Sequence, residues 1–222
     1  MNWDRFTEKR WPKSIFGVVI PLLIATTVIA GVGWEREKST RDGIVVYSRT
    51  TSGTTIREVR ARLTIAASPE VILSAACDPS TFGRTTRKYV EKNQFYEMHE
   101  RDPNVWYNYQ LVNFPVVAKR DYCLRYEKIE QPERGIYRLE WRISDRFGPP
   151  PTEGVVRVSN IRGSIIISKD EASNQSTVRY TLMADPGGDI PIWVINLANR
   201  SSLPDILREL RDASLERMNQ SK

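Results

Sequence analysis

The stretch Asp185-Pro186-Gly187-Gly188-Asp189-Ile190-Pro191-Ile192-Trp193-Val194-Ile195-Asn196 ends one kind of structure and begins another. Pro186 fixes its own φ, Gly187 and Gly188 let the chain turn through positive φ, and Pro191 suits the first turn of a helix, where its missing N–H costs nothing. Before this stretch lies a long series of segments with period-2 alternation, and after it one helix is expected from Pro191 to about Met218. A succession of strands closed by a single long helix constrains the chain to an α+β fold, in which a curved, mostly antiparallel sheet wraps around that helix. Pro204 removes a backbone hydrogen bond within the helix and is expected to kink or interrupt it.

Strands are expected at Ile44 to Arg49 and at Ile56 to Ile65, where Val59, Ala61, Leu63 and Ile65 share a face opposite Glu58, Arg60 and Arg62. Ser68-Pro69-Glu70 supplies an N-cap, a proline at the first helical position and an acid in the first turn, so residues 69 to 77 should be helical. Further strands are expected at Lys88 to Glu100 and Val105 to Val112, joined by an Asp102-Pro103-Asn104 turn, and then at Val155 to Val158, Ser164 to Ser168 and Ser176 to Met183. Between them, Tyr122, Leu124 and Tyr126 alternate with Cys123, Arg125 and Glu127, and Tyr137, Leu139, Trp141 and Ile143 alternate with charged residues. One face is aromatic and apolar. The space between that face and the terminal helix is either filled by side chains or hollow enough for an apolar ligand.

Residues 14 to 33 carry no charge and, at 1.5 Å rise, have about the length needed to cross the ~30 Å hydrocarbon core of a bilayer. Arg5, Lys9, Arg10 and Lys13 precede them, which favours a cytoplasmic N-terminus and an extracytoplasmic domain. The expected organisation is a basic tail at 1–13, a transmembrane signal anchor or signal peptide at 14–33, a folded domain at 34–219 and a short tail at 220–222. An uncleaved anchor is favoured over a cut after Val28 and Ala30, which would leave the domain secreted or periplasmic, because secretory apolar regions are usually shorter.

The formal charge of +6 is interleaved along the chain, which excludes a concentrated basic stripe for nucleic acid and leaves a solvated surface with some affinity for anionic membranes. Cys77 and Cys123 match no metal-ligand or redox spacing and are read as buried free thiols. His99 has no second histidine or cysteine near it for a metal site. The chain carries no Gly-x-Ser-x-Gly elbow, phosphate-cradling glycine loop or zinc motif, so no catalytic residue, metal or cofactor is expected.

Three segments in order, Asp42-Gly43-Ile44-Val45-Val46-Tyr47, Asn113-Phe114-Pro115-Val116-Val117-Ala118-Lys119-Arg120-Asp121-Tyr122 and the Asp185-to-Asn196 stretch, resemble the START family of lipid-transfer domains over Trp34 to about Met218. The resemblance implies a helix-grip fold enclosing a tunnel for one phospholipid, sterol or related molecule, which the domain transfers or presents without a chemical step. It further implies that Tyr122 and Leu124 line the tunnel, and that the cavity tryptophan of phosphatidylcholine-binding members falls at Tyr109, on a face shared with Val105, Tyr107 and Leu111. Tyr137, Leu139 and Trp141 complete the expected lining. The arginine and aspartate with which those members hold choline phosphate align with Gly83 and Arg87, so that pair is absent, and Arg84 and Arg87 are the remaining head-group candidates. Gly187 and Gly188 become hinge candidates for a lid formed by the terminal helix, with Pro204 as a weak point. Arg120-Asp121 is expected as an outward structural pair and Trp193 as an anchor of the helix start. Two other readings stay open: a helix-grip enzyme such as a cyclase or hydrolase, and a lipid sensor acting through a protein partner.

Overall fold

The computed structural model describes residues 33–83, 89–97, 102–170 and 172–220. The expected membrane segment at 14–33, apart from Gly33, and the basic tail before it lie outside the described residues, as do Arg84, Arg87 and His99. Among the described residues no helix is long and apolar enough to cross a membrane.

Among the described residues ten strands form one sheet: β1 (Glu35–Ser39), β2 (Val45–Thr51), β3 (Thr54–Ile65), β4 (Val90–Glu97), β5 (Val105–Val112), β6 (Lys119–Gln131), β7 (Ile136–Ile143), β8 (Val155–Arg157), β9 (Asn160–Lys169) and β10 (Ser176–Asp185). Helix α1 (Pro69–Cys77) follows β3, and α2 (Ile192–Gln220) ends the domain. Across the sheet the order is β1-β2-β3-β10-β9-β7-β6-β5-β4, with β8 added in parallel to the start of β6. Every other pairing is antiparallel.

The expected strands are present, and β1 is added to them. Its sequence, Glu-Arg-Glu-Lys-Ser, has no apolar period, but it pairs with β2 at the sheet edge, where charged side chains discourage further strand addition. On β3 the alternation holds, with Val59, Ala61, Leu63 and Ile65 buried and Arg62 and Thr64 exposed. Glu58 departs from it, buried in an ion pair with Arg49 at 2.5 Å. Helix α1 starts at Pro69 as expected, although the Ser68 side chain makes no capping bond and only its carbonyl accepts, from the Ile72 N–H at 3.2 Å.

Helix α2 packs on β3, β10, β2 and α1, and its Leu203, Leu207 and Leu210 are fully buried in the main core. Pro204 does not interrupt it. The proline leaves the Arg200 carbonyl without its helical donor, and burial of Leu203 and Leu207 on either side holds the helix through that one lost bond. At the other end Gly187 and Gly188 have φ of +65° and +71°, the turn the sequence required. Trp193 is 69 % exposed and does not anchor the helix; Ile195 does, packed with Ile56, Met183 and Ile190, while the Asn196 Oδ1 accepts from the Arg57 N–H at 2.8 Å.

Candidate functional site

In an antiparallel pair, residues directly opposite one another share a face. Gln110 faces Tyr122, Asn108 faces Leu124 and Trp106 faces Tyr126 across β5 and β6, and Tyr126 faces Trp141 across β6 and β7. These side chains point to the side of the sheet that carries α1 and α2. There they border a partly open hollow of about 880 Å³, closed by Ala76 to Ser80 and Phe82 at the end of α1 and beyond, with Ile206 as the contribution of α2.

An aromatic row crosses this inner face. Trp106 stacks on Tyr126 with ring centroids 5.4 Å apart, Tyr126 meets Trp141 at 6.1 Å, and Trp141 reaches Tyr180 at 5.2 Å. The last contact spans β9, and it exists because the β9 residue opposite Trp141 is Gly163. Leu124, Leu139, Ile161, Ile165 and Leu182 fill the rest of the wall.

Toward β4 the lining becomes polar without becoming basic. The Asn108 amide donates to Asn93 Oδ1 at 2.7 Å, Gln110 Nε2 donates to the same oxygen at 3.3 Å, and the Tyr122 hydroxyl donates to Gln110 Oε1 at 2.7 Å. Burial pushes the Tyr122 phenol up to about 12, and burial raises Tyr126 and Tyr180 further, so all three hydroxyls stay protonated at neutral pH. The two carboxylates in the lining are already paired, Glu91 with Lys119 at 2.7 Å and Asp78 with Arg217. Among the described residues no cluster of three His, Cys, Asp or Glu side chains is placed to hold a metal.

Of the residues picked from sequence, Tyr122, Leu124, Leu139 and Trp141 border the hollow. Tyr137 lies on the same face but is sealed beneath α1, where its hydroxyl donates to Glu70; that bond and burial push the phenol up to about 12. Tyr107, Tyr109 and Leu111 are on the opposite face of the sheet. They form a second cluster with Cys123, Tyr96 and Val105, covered by Phe147 from the loop after β7. The reason is register: counting back from β6 one residue too far or too few exchanges the faces of β5. The residues that do line the hollow from β5 are Trp106, Asn108 and Gln110, and the sequence reading also left out Tyr126, Tyr180, Phe82, Ile161, Ile165 and Leu182. Once Tyr122 was placed inward, cross-strand parity alone would have found the β5 set.

Arg120 and Asp121 are not a pair. Asp121 is on the outer face, 1 % exposed, and receives Arg157 through two bonds of 2.7 and 2.8 Å and the Tyr109 hydroxyl at 3.0 Å. This contact joins β8 to β6. Burial first, and then the Asp121 carboxylate, push the Tyr109 phenol up to about 12. Arg120 points inward beneath the β10–α2 turn, donating to the Ala118 carbonyl. Neither cysteine is bonded; Cys77 borders the hollow and Cys123 is buried on the other face.

A sheet gripping a terminal helix around a lined hollow is a shape shared with known proteins. The START domain model matches residues 29–221. The chain belongs to the START domain family. Human phosphatidylcholine transfer protein is 25% identical over 187 residues, covering 83% of this chain and 85% of the relative. Among solved structures, a STAR-related lipid transfer protein fragment from Xanthomonas axonopodis superposes with a TM-score of 0.67 at 22% identity, covering 82% of this chain and 98% of the fragment. Human StAR-related lipid transfer protein 5 superposes with a TM-score of 0.65 at 13% identity, covering 83% and 87%. These likenesses establish the helix-grip fold of this START domain.

Proposed function

We propose that this START domain binds one hydrophobic, lipid-like molecule in the hollow and transfers or presents it with no chemical step. The observation that carries the reading is the hollow itself, about 880 Å³ and walled by the aromatic row and by Leu124, Leu139, Ile161 and Ile165. Ligand pockets of this kind run to roughly 300–1,000 Å³. The physical gain is large, because each exposed CH₂ costs ~0.8 kcal/mol in water, so a sixteen-carbon chain left in solvent costs on the order of 12 kcal/mol. A wall of apolar side chains removes most of that cost. The names of the relatives, a phosphatidylcholine transfer protein and StAR-related lipid transfer proteins, support the same class of cargo.

The same proposal places the domain on the far side of a membrane, held by residues 14 to 33 as an uncleaved anchor, on the strength of their uncharged run and the basic residues before it. Native mass spectrometry of the full chain isolated from its own cells tests the cargo: a retained lipid is the expected result. A chain that is always empty and moves no lipid between vesicles would sink the reading. Reporter fusions after residue 40 that are active only in the cytoplasm would overturn the orientation.

A further inference from the structure

The positive charge that is interleaved along the sequence is not interleaved on the surface. Side chains alternate between faces along a strand, so charges spaced two apart collect on the side of the sheet away from α1 and α2. There Arg62 on β3 stands directly opposite Arg179 on β10, and Arg162 on β9 directly opposite Arg142 on β7, which has Arg125 of β6 on its other side. Neighbouring strands lie about 4.8 Å apart, and like charges facing each other at that spacing oppose folding. Glu127 offsets Arg125 at 2.5 Å, but among the described residues Arg62, Arg142, Arg162 and Arg179 have no ion-pair partner. A dense anionic surface laid against this face relieves the repulsion.

The chain itself brings such a surface close. Trp34, the first residue after the uncharged run at 14–33, lies on the same face, with the Arg60 guanidinium 3.8 Å and the Arg49 guanidinium 4.5 Å from its ring centre. Arg60 shares its side of β3 with Arg62. An anchor at 14–33 therefore delivers the domain to its bilayer with this face beside the head groups, and anionic head groups favour each nearby arginine about fivefold. A protein partner fits less well. Among the described residues none of the exposed large apolar side chains is on this face, and protein interfaces are centred on such residues. We propose, on the reading of residues 14 to 33 as an anchor, that this face docks through Arg62, Arg179, Arg142 and Arg162 on the anionic head groups of the bilayer the anchor enters. The side of the sheet that carries α1, α2 and the hollow is then turned away from that bilayer, toward whatever receives the cargo.

The test places the full chain in nanodiscs of phosphatidylcholine, with or without roughly a third of phosphatidylglycerol, and follows the reaction of each arginine with phenylglyoxal by mass spectrometry. Arg62, Arg142, Arg162 and Arg179 are expected to react about fivefold more slowly in the anionic discs, and to recover when salt is raised from about 0.1 to about 1 M. Arg200 and Arg208 on α2 serve as the reference and should not change. The double variant R142Q and R162Q removes a like-charge pair and so should fold, and in anionic discs its Arg62 and Arg179 should react as fast as in neutral ones. Equal reactivity in both discs, slowing confined to Arg200 and Arg208, or slowing of Arg62 and Arg179 that survives in the variant overturns the docking and leaves the anchor standing. Slowing by soluble polyglutamate but not by anionic discs overturns it in favour of an acidic protein segment. A chain that separates from neutral discs on gel filtration overturns both the anchor and the docking that rests on it.

Discussion

The ring of Trp141 occupies the space above Gly163, its paired neighbour on β9, so closely that a β-carbon there would fall 2.3 Å from Trp141 Cζ2. The Thr181 carbonyl would lie 2.7 Å away on the other side. The gap left by this glycine lets the indole cross β9 and meet Tyr180, and so it sets the floor of the hollow.

Gly163→Ala should therefore destabilise the domain by about 1–3 kcal/mol, the usual cost of overpacking a fitted core. Urea unfolding followed by tryptophan fluorescence measures it. Adding Trp141→Leu should restore only part of the loss, because the clash with the Thr181 backbone remains. Full restoration, or no loss from Gly163→Ala alone, would show that the indole can move away freely.

The contact between Asp121 and Arg157 gives the second prediction. Asp121→Asn leaves the Arg157 guanidinium without its charge partner and weakens the Tyr109 bond, at one end of the β6–β8 ladder. Breaking a buried pair costs about 3–5 kcal/mol, and since the Arg157 side chain is 29% exposed the lower half of that range, or somewhat less, is expected. A shift in the urea midpoint with an unchanged slope would confirm it. Tyr109 adds a pH signature. Its folded value lies above the free tyrosine value near 10, so its contribution is complete below about pH 10 and is lost as pH rises toward about 12. Tyr109→Phe should remove the Tyr109 share of that alkaline decline and leave the share of Tyr122, Tyr126, Tyr137 and Tyr180.

These two sites also show what the sequence could and could not reveal. The alternation of Tyr122, Leu124, Leu139 and Trp141 was legible because one face of β6 and β7 is apolar and the other charged. On β5 it was misleading: Trp106, Asn108 and Gln110 look inward while Tyr107, Tyr109 and Leu111 look outward. The outer face is buried too, beneath Phe147, so hydrophobicity does not distinguish the two sides of that strand. Polar cavity walls invert the usual pattern, and only cross-strand register reveals them. The Asp121–Arg157 bond joins residues far apart in sequence through a parallel strand too short to carry a period.

Asp42 gives the third prediction. In the β1–β2 turn it accepts Arg208 at 2.9 Å and Arg211 at 3.2 Å, fastening α2 to the sheet edge, while Glu37 accepts Arg200 at 2.7 Å. The Arg208 bond first, then Thr40, hold the Asp42 carboxyl well below its usual range, and Glu37 is lowered chiefly by the Ser48 hydroxyl. A depressed carboxylate stabilises the fold above its unfolded value, near pH 4, and the contribution is lost as pH falls. Asp42→Asn should lower the midpoint at pH 6 and flatten its decline between about pH 5 and 3. An identical acid profile in the variant would remove Asp42 from the account.

The last prediction concerns how the hollow opens. A rigid swing of α2 about Gly187 and Gly188 would expose Leu203, Leu207 and Leu210, all fully buried, at about 1.5–3 kcal/mol for each side chain. The half before Pro204 is different: Ile192, Trp193 and Leu197 are exposed, and the Arg200 carbonyl lacks its helical donor. Movement should therefore be confined to residues 192–202, with Gly187 and Gly188 at one end and the buried Leu203 and Pro204 at the other. Hydrogen exchange in the presence of vesicles should show faster exchange in that half while residues 206–216 stay as protected as β6 and β7. Gly187→Ala, which forces a side chain into φ of +65° and against Val156, should cost about 1 kcal/mol and alter exchange only in the first half. Uniform protection of α2, with and without vesicles, would assign the opening to the segment from Asp78 to Phe82, which covers the hollow where α2 contributes only Ile206.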